Sequence, residues 1–101
     1  MDRLSYFAEL VAREPTEPRA RYGYANALVR AAQWDEAVIQ LRAYLELAED
    51  EGYAWGQLAE ALVALERPDE AADAYLGGID QALAHGHTGM ADDFQQALEA
   101  L

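Results

Sequence analysis

The sequence contains no cysteine. A chain without thiols has no disulfide framework, no cysteine nucleophile and no thiolate metal site, so nothing in it indicates an oxidising compartment. It also has no apolar run close to the roughly 20 residues that a membrane-spanning helix needs. These absences predict a soluble chain that is not exported, and the cytoplasm is its expected location.

Lysine is absent as well. All seven basic residues are arginine, and they stand against 19 acidic residues, which leaves a formal net charge of -12. Such an acidic surface repels nucleic acids and anionic membranes, because binding either would concentrate negative charge instead of releasing counterions. Neither is therefore an expected partner. Two explanations fit the composition: a host with high internal salt, which would screen the self-repulsion, or a GC-rich genome.

A repeat with a spacing of 34 residues organises the chain. Each copy reads as two amphipathic helices joined by a tight turn. The first helix carries an aromatic residue, leucines and a small residue, and the second begins with Asp-Glu-Ala and continues to another aromatic residue. The recurring residues are Ala25, Ala27, Leu28, Val29, Asp35, Glu36 and Ala37, which reappear as Ala59, Ala61, Leu62, Val63, Asp69, Glu70 and Ala71.

This spacing and pattern resemble the tetratricopeptide repeat, as it occurs in small bacterial proteins. The resemblance implies an all-α fold: a right-handed α-solenoid of antiparallel helix pairs with about six helices, in one domain over residues 1–101. The domain would comprise an N-terminal half-repeat helix (1–15), repeat 1 (17–50), repeat 2 (52–85) and a C-terminal capping helix (88–101). Tyr44 departs from the family, which usually has a small residue there.

Local signals place the helix ends. Pro18 predicts a second helix from about Glu17 to Ala31, because proline is tolerated in the first turn. The fifth helix should turn Leu83 inward and stop at Gly86, and Thr88 should cap the sixth.

Two adjacent glycines, Gly77 and Gly78, lie inside the predicted fifth helix. Each costs about 1 kcal/mol relative to alanine, so we expect a compensating reason. The candidate is close approach of the final helix, and the alternative is a kink or a frayed second half of the fifth helix.

No combination of side chains indicates catalysis. His85 and His87 near Asp92 and Asp93 could suggest a metal site, but a loop histidine pair flanked by glycine is more typical of solvent-exposed positions. Ser5 is the only serine and has no histidine neighbour. The glutamates at 36, 46, 49, 51, 66 and 70 fall on outward faces or turns, as a solvated coat. We therefore expect no enzyme, no catalytic residues, no cofactor and no metal.

The resemblance also implies a function. In this family a concave groove, lined by the first helix of each repeat, typically receives a peptide or a helix, so the chain is expected to be a protein–protein interaction adaptor. The alternative is a self-associating structural module that uses exposed apolar residues at the open ends of the solenoid. A monomer is expected rather than a homodimer.

Alignment of the repeats on Ala37 and Ala71 assigns nine residues to the groove. Tyrosine offers rigid contact area, the amide side chains can bind a peptide backbone, and the arginines can bind a carboxylate. A second interpretation stays open, in which the arginines merely pair with nearby glutamates. The nine are Arg19, Tyr22, Asn26, Val29 and Arg30 of the second helix, and Tyr53, Gln57, Glu60 and Val63 of the fourth.

Overall fold

The computed structural model describes residues 2–101, which form six α-helices with no strand among them. This confirms the predicted all-α class for the described residues. Within that range, no helix combines the length and the apolar composition needed to cross a membrane. The helices are α1 (Arg3–Arg13), α2 (Pro18–Arg30), α3 (Trp34–Leu47), α4 (Tyr53–Ala64), α5 (Pro68–Ala84) and α6 (Thr88–Glu99).

The helices form two compact units, which we describe separately. Unit 1 contains α1 to α3 within residues 2–49, and unit 2 contains α4 to α6 within Asp50–Leu101. In unit 1 the central helix α2 packs against α1 and α3, and in unit 2 the central helix α5 packs against α4 and α6. The predicted single domain over 1–101 and its internal boundaries stay a prediction, and residue 1 lies outside the described residues.

The sequence repeat is also a repeat of backbone geometry. At the end of α2 the carbonyl of Leu28 accepts the N–H of Gln33 at 2.9 Å, and at the end of α4 the carbonyl of Leu62 accepts the N–H of Arg67 at 2.9 Å. The residue before each donor has a positive φ, 56° in the first turn and 58° in the second. This is the left-handed closure that commonly ends helices. Both repeats therefore turn in the same way.

Leucine and alanine make up most of the core of each unit. Leu28 and Leu41 are fully buried in unit 1, and Leu62 is fully buried in unit 2. Ala25 has no exposed surface, and neither has Ala59 at the equivalent place in the second repeat. Small side chains at these positions let the helix axes approach each other, so the larger leucines can interlock.

The two glycines of α5 are explained by neighbouring aromatic rings. A Cβ atom on Gly78 would lie 2.8 Å from Cε2 of Phe94 in α6 and 3.0 Å from Cβ of Trp55 in α4. A Cβ atom on Gly77 would lie 2.7 Å from the Trp55 ring. Close approach of the final helix is therefore confirmed at Gly78, whereas Gly77 makes room for α4. The helix runs through both positions without a break.

Two predictions around the end of α5 are wrong. Leu83 does not turn inward: it lies seven residues after Leu76, on the same side of the helix, and both leucines are exposed. Thr88 is the first residue of α6 and not its cap, since His87 occupies the cap position without a side-chain capping bond. Apolar character alone does not place Leu83 in the core, and a threonine near the start of a helix is not always its N-cap.

Two carboxylates at the start of unit 2 accept or share hydrogen bonds. The buried carboxylate of Asp50 accepts the backbone N–H groups of Gly52 at 2.9 Å and Ala54 at 2.8 Å, at the start of α4. Oε1 of Glu51 lies 2.6 Å from Nε2 of the His87 ring. Glu51 is exposed, in agreement with the predicted solvated coat, but its carboxylate is hydrogen-bonded to His87, 36 positions later, which the sequence did not indicate. This hydrogen bond lowers the pKa of Glu51.

Replacing Leu62 by aspartate should unfold the domain. The substitution places an unpaired charge in a site with no exposed surface, which costs several kcal/mol. The matched control is Val63→Asp, one residue further along α4, where the side chain is 43% exposed. Circular dichroism during thermal unfolding should show a cooperative helical transition for the control and none for Leu62→Asp. A folded Leu62→Asp protein would contradict this packing.

The substitutions Gly78→Ala and Gly89→Ala should change stability in opposite directions. At Gly78 the new methyl group meets the Phe94 ring and the Trp55 Cβ, so overpacking should exceed the helix-propensity gain and cost about 1–3 kcal/mol. At Gly89, in the first turn of α6, nothing lies within 4 Å, and alanine should stabilise the helix by up to about 1 kcal/mol. Urea unfolding measures both. If both substitutions stabilise the protein, the Phe94 and Trp55 side chains can move to accommodate the methyl group, and the predicted overpacking at Gly78 is wrong.

The hydrogen bond between Glu51 and His87 should make the free energy of unfolding depend on pH in the acidic range. Because the folded pKa of Glu51 lies below its ordinary value of 4.5, its contribution is complete above that pH and is lost as the pH falls through the lowered pKa. We expect the advantage of the native chain over Glu51→Gln, measured as the free energy of unfolding, to shrink below about pH 4.5. The exposed Glu49→Gln serves as control, and an equal trend there would assign the effect to net charge.

Candidate functional site

Five of the predicted partner-binding residues share one face of α2, and we call them the α2 face. They follow one another at intervals that return to the same side of a helix. None is buried: the two arginines are exposed and the other three are half-buried. The α2 face consists of Arg19, Tyr22, Asn26, Val29 and Arg30.

Local chemistry holds the beginning of the α2 face. The carboxylate of Glu17 accepts the backbone N–H of Arg19 at 3.2 Å, and Pro18 follows as the first helical residue. Further along, the ring of Tyr22 packs on the ring of Tyr44 in α3, with centroids 4.6 Å apart and an angle of 31° between the planes. Tyr44, at a position where the family usually has a small residue, therefore restricts the Tyr22 ring by packing against it. An aromatic ring fixed in this way loses little entropy on binding.

The two arginines of the α2 face make no ion pair. Within residues 2–101, neither the Arg19 nor the Arg30 guanidinium lies within salt-bridge or hydrogen-bond distance of another side chain. The interpretation that they merely pair with nearby glutamates therefore has no support in the described part of the chain. Eleven residues separate them, which is about 16 Å along the helix axis.

Arg21 on another side of α2 behaves differently. Its Nε donates to the carbonyl of Pro15 and its Nη1 donates to Oε1 of Gln40, both at 2.9 Å. The buried Gln40 in turn donates to Glu36 at 3.0 Å. This chain of bonds holds α3 against α2 and engages two N–H donors of Arg21 inside unit 1. Sequence reasoning missed it, although the spacing of Glu36 and Gln40 was compatible with a bond within one helix turn.

Four further predicted residues share one face of α4, the α4 face: Tyr53, Gln57, Glu60 and Val63. Tyr53, Glu60 and Val63 are exposed, and Gln57 is half-buried. The ring of Tyr53 lies 6.0 Å from the ring of His87, between centroids, and His87 is held by Glu51. The α4 face therefore presents an aromatic ring at one end, an apolar side chain at the other and a carboxylate between them.

Two tyrosines that pack against other helices have a raised pKa. Burial raises the pKa of Tyr24, and the negative charge of Glu36 adds to this effect. Burial also raises the pKa of Tyr75, with a smaller contribution from Glu60. Both phenols therefore keep their protons at neutral pH.

The histidines are used locally. Nδ1 of His85 lies 2.9 Å from the carbonyl oxygen of Gln81, one turn earlier in α5. His87 binds Glu51. In the part of the chain that the structure describes, no three histidine or acidic side chains come together in a way that could hold a metal ion.

Comparisons with known proteins agree on the fold. Residues 4–56, just over half of the chain, match the sequence model of a tetratricopeptide repeat. Seven chains of solved structure also match. The solution structure of protein BPP2914 from Bordetella parapertussis aligns with a TM-score of 0.79 at 20% identity, over 99% of this chain and 87% of that chain. At such low identity the likeness establishes the fold alone. A search of curated proteins found no match.

The sequence match and the structural likeness complement each other. The matched residues contain α1 except its first residue, α2, α3 and the beginning of α4, and the structural alignment extends to the remaining helices. The shared turn geometry at the ends of α2 and α4 gives the repeat a physical basis in the backbone. This chain of six helices belongs to the tetratricopeptide repeat family.

Proposed function

We propose that this chain is an adaptor that binds a peptide or a helical segment of another protein on its α2 and α4 faces. Tetratricopeptide repeats generally mediate interactions between proteins, and members of the family are typically scaffolds without enzymatic activity. The proposal adds the surface: Arg19, Tyr22, Asn26, Val29 and Arg30 on α2, and Tyr53, Gln57, Glu60 and Val63 on α4.

One observation carries the proposal. Two arginines on one face of α2 are exposed and have no ion-pair partner within residues 2–101, in a chain with 19 acidic residues. Intramolecular pairing would be the expected use of scarce positive charge in so acidic a chain. A guanidinium that keeps all its donors can bind a carboxylate with two parallel hydrogen bonds. The α2 face therefore suits a partner that carries carboxylates.

The remaining side chains would supply contact area and direction. Tyr22, supported by Tyr44, is a rigid surface, and Asn26 carries an amide that can bind a peptide backbone. On the α4 face, Tyr53 and Val63 expose 56% and 43% of their surfaces and would bury them on a partner. Exposed aromatic residues and arginines are the types that most often dominate binding energy.

The composition also supports the expected class of partner. With a net charge of -12, association with nucleic acid or an anionic membrane would be repulsive. A protein partner does not meet this barrier when its binding segment carries mixed charge. Another protein is therefore the proposed partner.

Arg30→Ala, Tyr22→Ala and Asn26→Ala should each weaken a peptide selected from a random library with the native protein. Loss of a central aromatic or arginine contact typically costs more than 1 kcal/mol, so we expect at least about fivefold weaker binding for Tyr22→Ala and Arg30→Ala. Arg13→Ala is the matched control, because Arg13 is an exposed arginine at the end of α1, outside both faces. Fluorescence anisotropy measures the affinities.

Circular dichroism first establishes that each variant is folded. If all three folded variants keep the native affinity, or if Arg13→Ala weakens binding equally, the assignment to the α2 face is wrong. Tyr53→Ala then repeats the test for the α4 face.

Self-association is the second candidate function. Tyr6 on α1 exposes half of its surface, and Leu101 exposes 47%. Apolar residues of this size at positions outside the core are possible contacts with another copy. Sedimentation velocity at micromolar concentration separates the two: a dimer that Tyr6→Ser or Leu101→Ser dissociates favours self-association, and a monomer favours the adaptor.

A further inference from the structure

The negative charge of this chain is concentrated in unit 2. Residues 50–101 contain eleven carboxylate side chains and one arginine, a formal net charge of -10 out of the total of -12. That arginine, Arg67, is bound to Glu70 through two contacts, from Nε at 2.5 Å and from Nη2 at 2.7 Å. Unit 2 therefore presents a strongly negative surface whose only arginine is already engaged with a carboxylate.

The outward side of α5 carries an apolar ridge on this negative surface. Leu76 and Leu83 are 49% and 55% exposed, and they lie seven residues apart. The half-buried Ala72 and Ile79 adjoin them on one side of the helix surface, because these positions are turned by about 20–60° from the leucines at 100° per residue. We call Ala72, Leu76, Ile79 and Leu83 the α5 ridge. Its two exposed leucines are about 10.5 Å apart along the axis.

A row of aspartates borders the other side of the α5 ridge. Asp69, Asp73 and Asp80 are exposed, and by the same helical geometry they lie 20–60° from Leu76. Asp73 and Asp80 are also seven residues apart. Within the described residues 2–101, none of the three carboxylates has an ion-pair or hydrogen-bond partner. An apolar strip with a parallel acidic strip, both repeating every seven residues, thus lies outside the α2 and α4 faces.

We propose that the α5 ridge docks an amphipathic basic helix of another protein. Apolar residues repeating every seven positions are the pattern that a second helix matches, since one heptad advances it by the same 10.5 Å or so. Lysine or arginine at matching intervals on that helix would lie opposite Asp73 and Asp80. The partner packs apolar side chains on Leu76 and Leu83 and neutralises the aspartates.

Charge selects this occupant over a second copy of the chain. A second copy would bring another net charge of -12 and no lysine. Its unit 2 has only Arg67, which is engaged with Glu70. Its unit 1 carries the exposed Arg19 and Arg30 but still has a formal net charge of -2, so no part of a second copy brings a net positive charge. Two acidic rows that face each other would repel, whereas each aspartate that contacts a basic helix contributes a favourable electrostatic interaction. The inference does not depend on the proposed function, because it uses a different helix.

The test uses two synthetic peptides of three heptads each, with leucine at the first and fourth positions. One carries arginine at the flanking positions, and the other carries glutamate there. Anisotropy measurements with the intact chain should show binding of the arginine peptide, and binding of the glutamate peptide should be at least about tenfold weaker. Equal binding of both peptides would overturn the proposal.

Two variants locate the bound peptide. Leu76→Ala with Leu83→Ala should weaken the arginine peptide at least about tenfold, because the apolar contact is lost. Asp73→Asn with Asp80→Asn should weaken it several-fold. Asp92→Asn with Asp93→Asn is the matched control, since it removes the same charge from exposed positions of α6, and it should change affinity less than about twofold. All these substitutions are at exposed positions, so the fold should persist by circular dichroism.

Four outcomes would overturn the assignment. If the α6 control weakens binding as much as Asp73→Asn with Asp80→Asn, the peptide is attracted only by the net charge of the chain. If the leucine double variant keeps the native affinity, the peptide makes no apolar contact with the α5 ridge. Loss of binding in Tyr53→Ala would move the peptide to the α4 face, which would leave the proposed function intact while the α5 ridge fails. A dimer of the native chain that Leu76→Ala with Leu83→Ala dissociates would identify a second copy as the occupant.

Discussion

Helix packing in both units depends on aromatic rings that lie directly against glycine on a neighbouring helix. The ring of Phe94 in α6 occupies the space above Gly78 and Gly56, and Trp55 of α4 occupies the space above Gly77. In unit 1, a Cβ atom on Gly23 would overlap the ring of Phe7. Since no side chain larger than hydrogen fits, the helices can approach this closely only where glycine stands. The loss of helix propensity at each glycine is offset by the ring contacts that it permits.

This constraint determines which sides of the helices face outward. Because α5 turns Gly78, Ala74 and Ala82 towards its neighbours, it must turn Leu76 and Leu83 away from them. In α2 the buried positions are alanines and a leucine, which leaves the arginines at 19 and 30 on the outside. The two units also differ in charge. Residues 1–49 have a formal net charge of -2, from six arginines and eight carboxylates, and residues 50–101 have -10.

Part of the abundant negative charge supports the helices. Asp2 accepts the backbone N–H of Ser5 at 2.8 Å at the start of α1, and this bond lowers the pKa of Asp2. Glu17 accepts at the start of α2, and Asp50 accepts twice at the start of α4. Carboxylates are favoured there because they satisfy N–H groups that the helix leaves unpaired and because they face the positive end of the helix dipole. The carboxylates of α5 at 73 and 80 have no such role in the described chain.

Local patterns sufficed for the helices and for the repeat. Apolar periodicity, the proline at 18 and the recurrence at 34 residues predicted six helices, and the nine proposed binding residues proved to lie outside the core. These features depend on neighbours within one or two helical turns, which the chain order already specifies. The contacts of Glu51 with His87, of Arg21 with Gln40 and of Tyr22 with Tyr44 could not be read in this way. They join residues that are far apart along the chain, so their distances depend on how the helices pack. The outward direction of Leu83 also depends on this packing. An apolar residue could lie on either side of α5, but the side that carries Gly77 and Gly78 packs against Trp55 and Phe94, which leaves Leu83 on the exposed side.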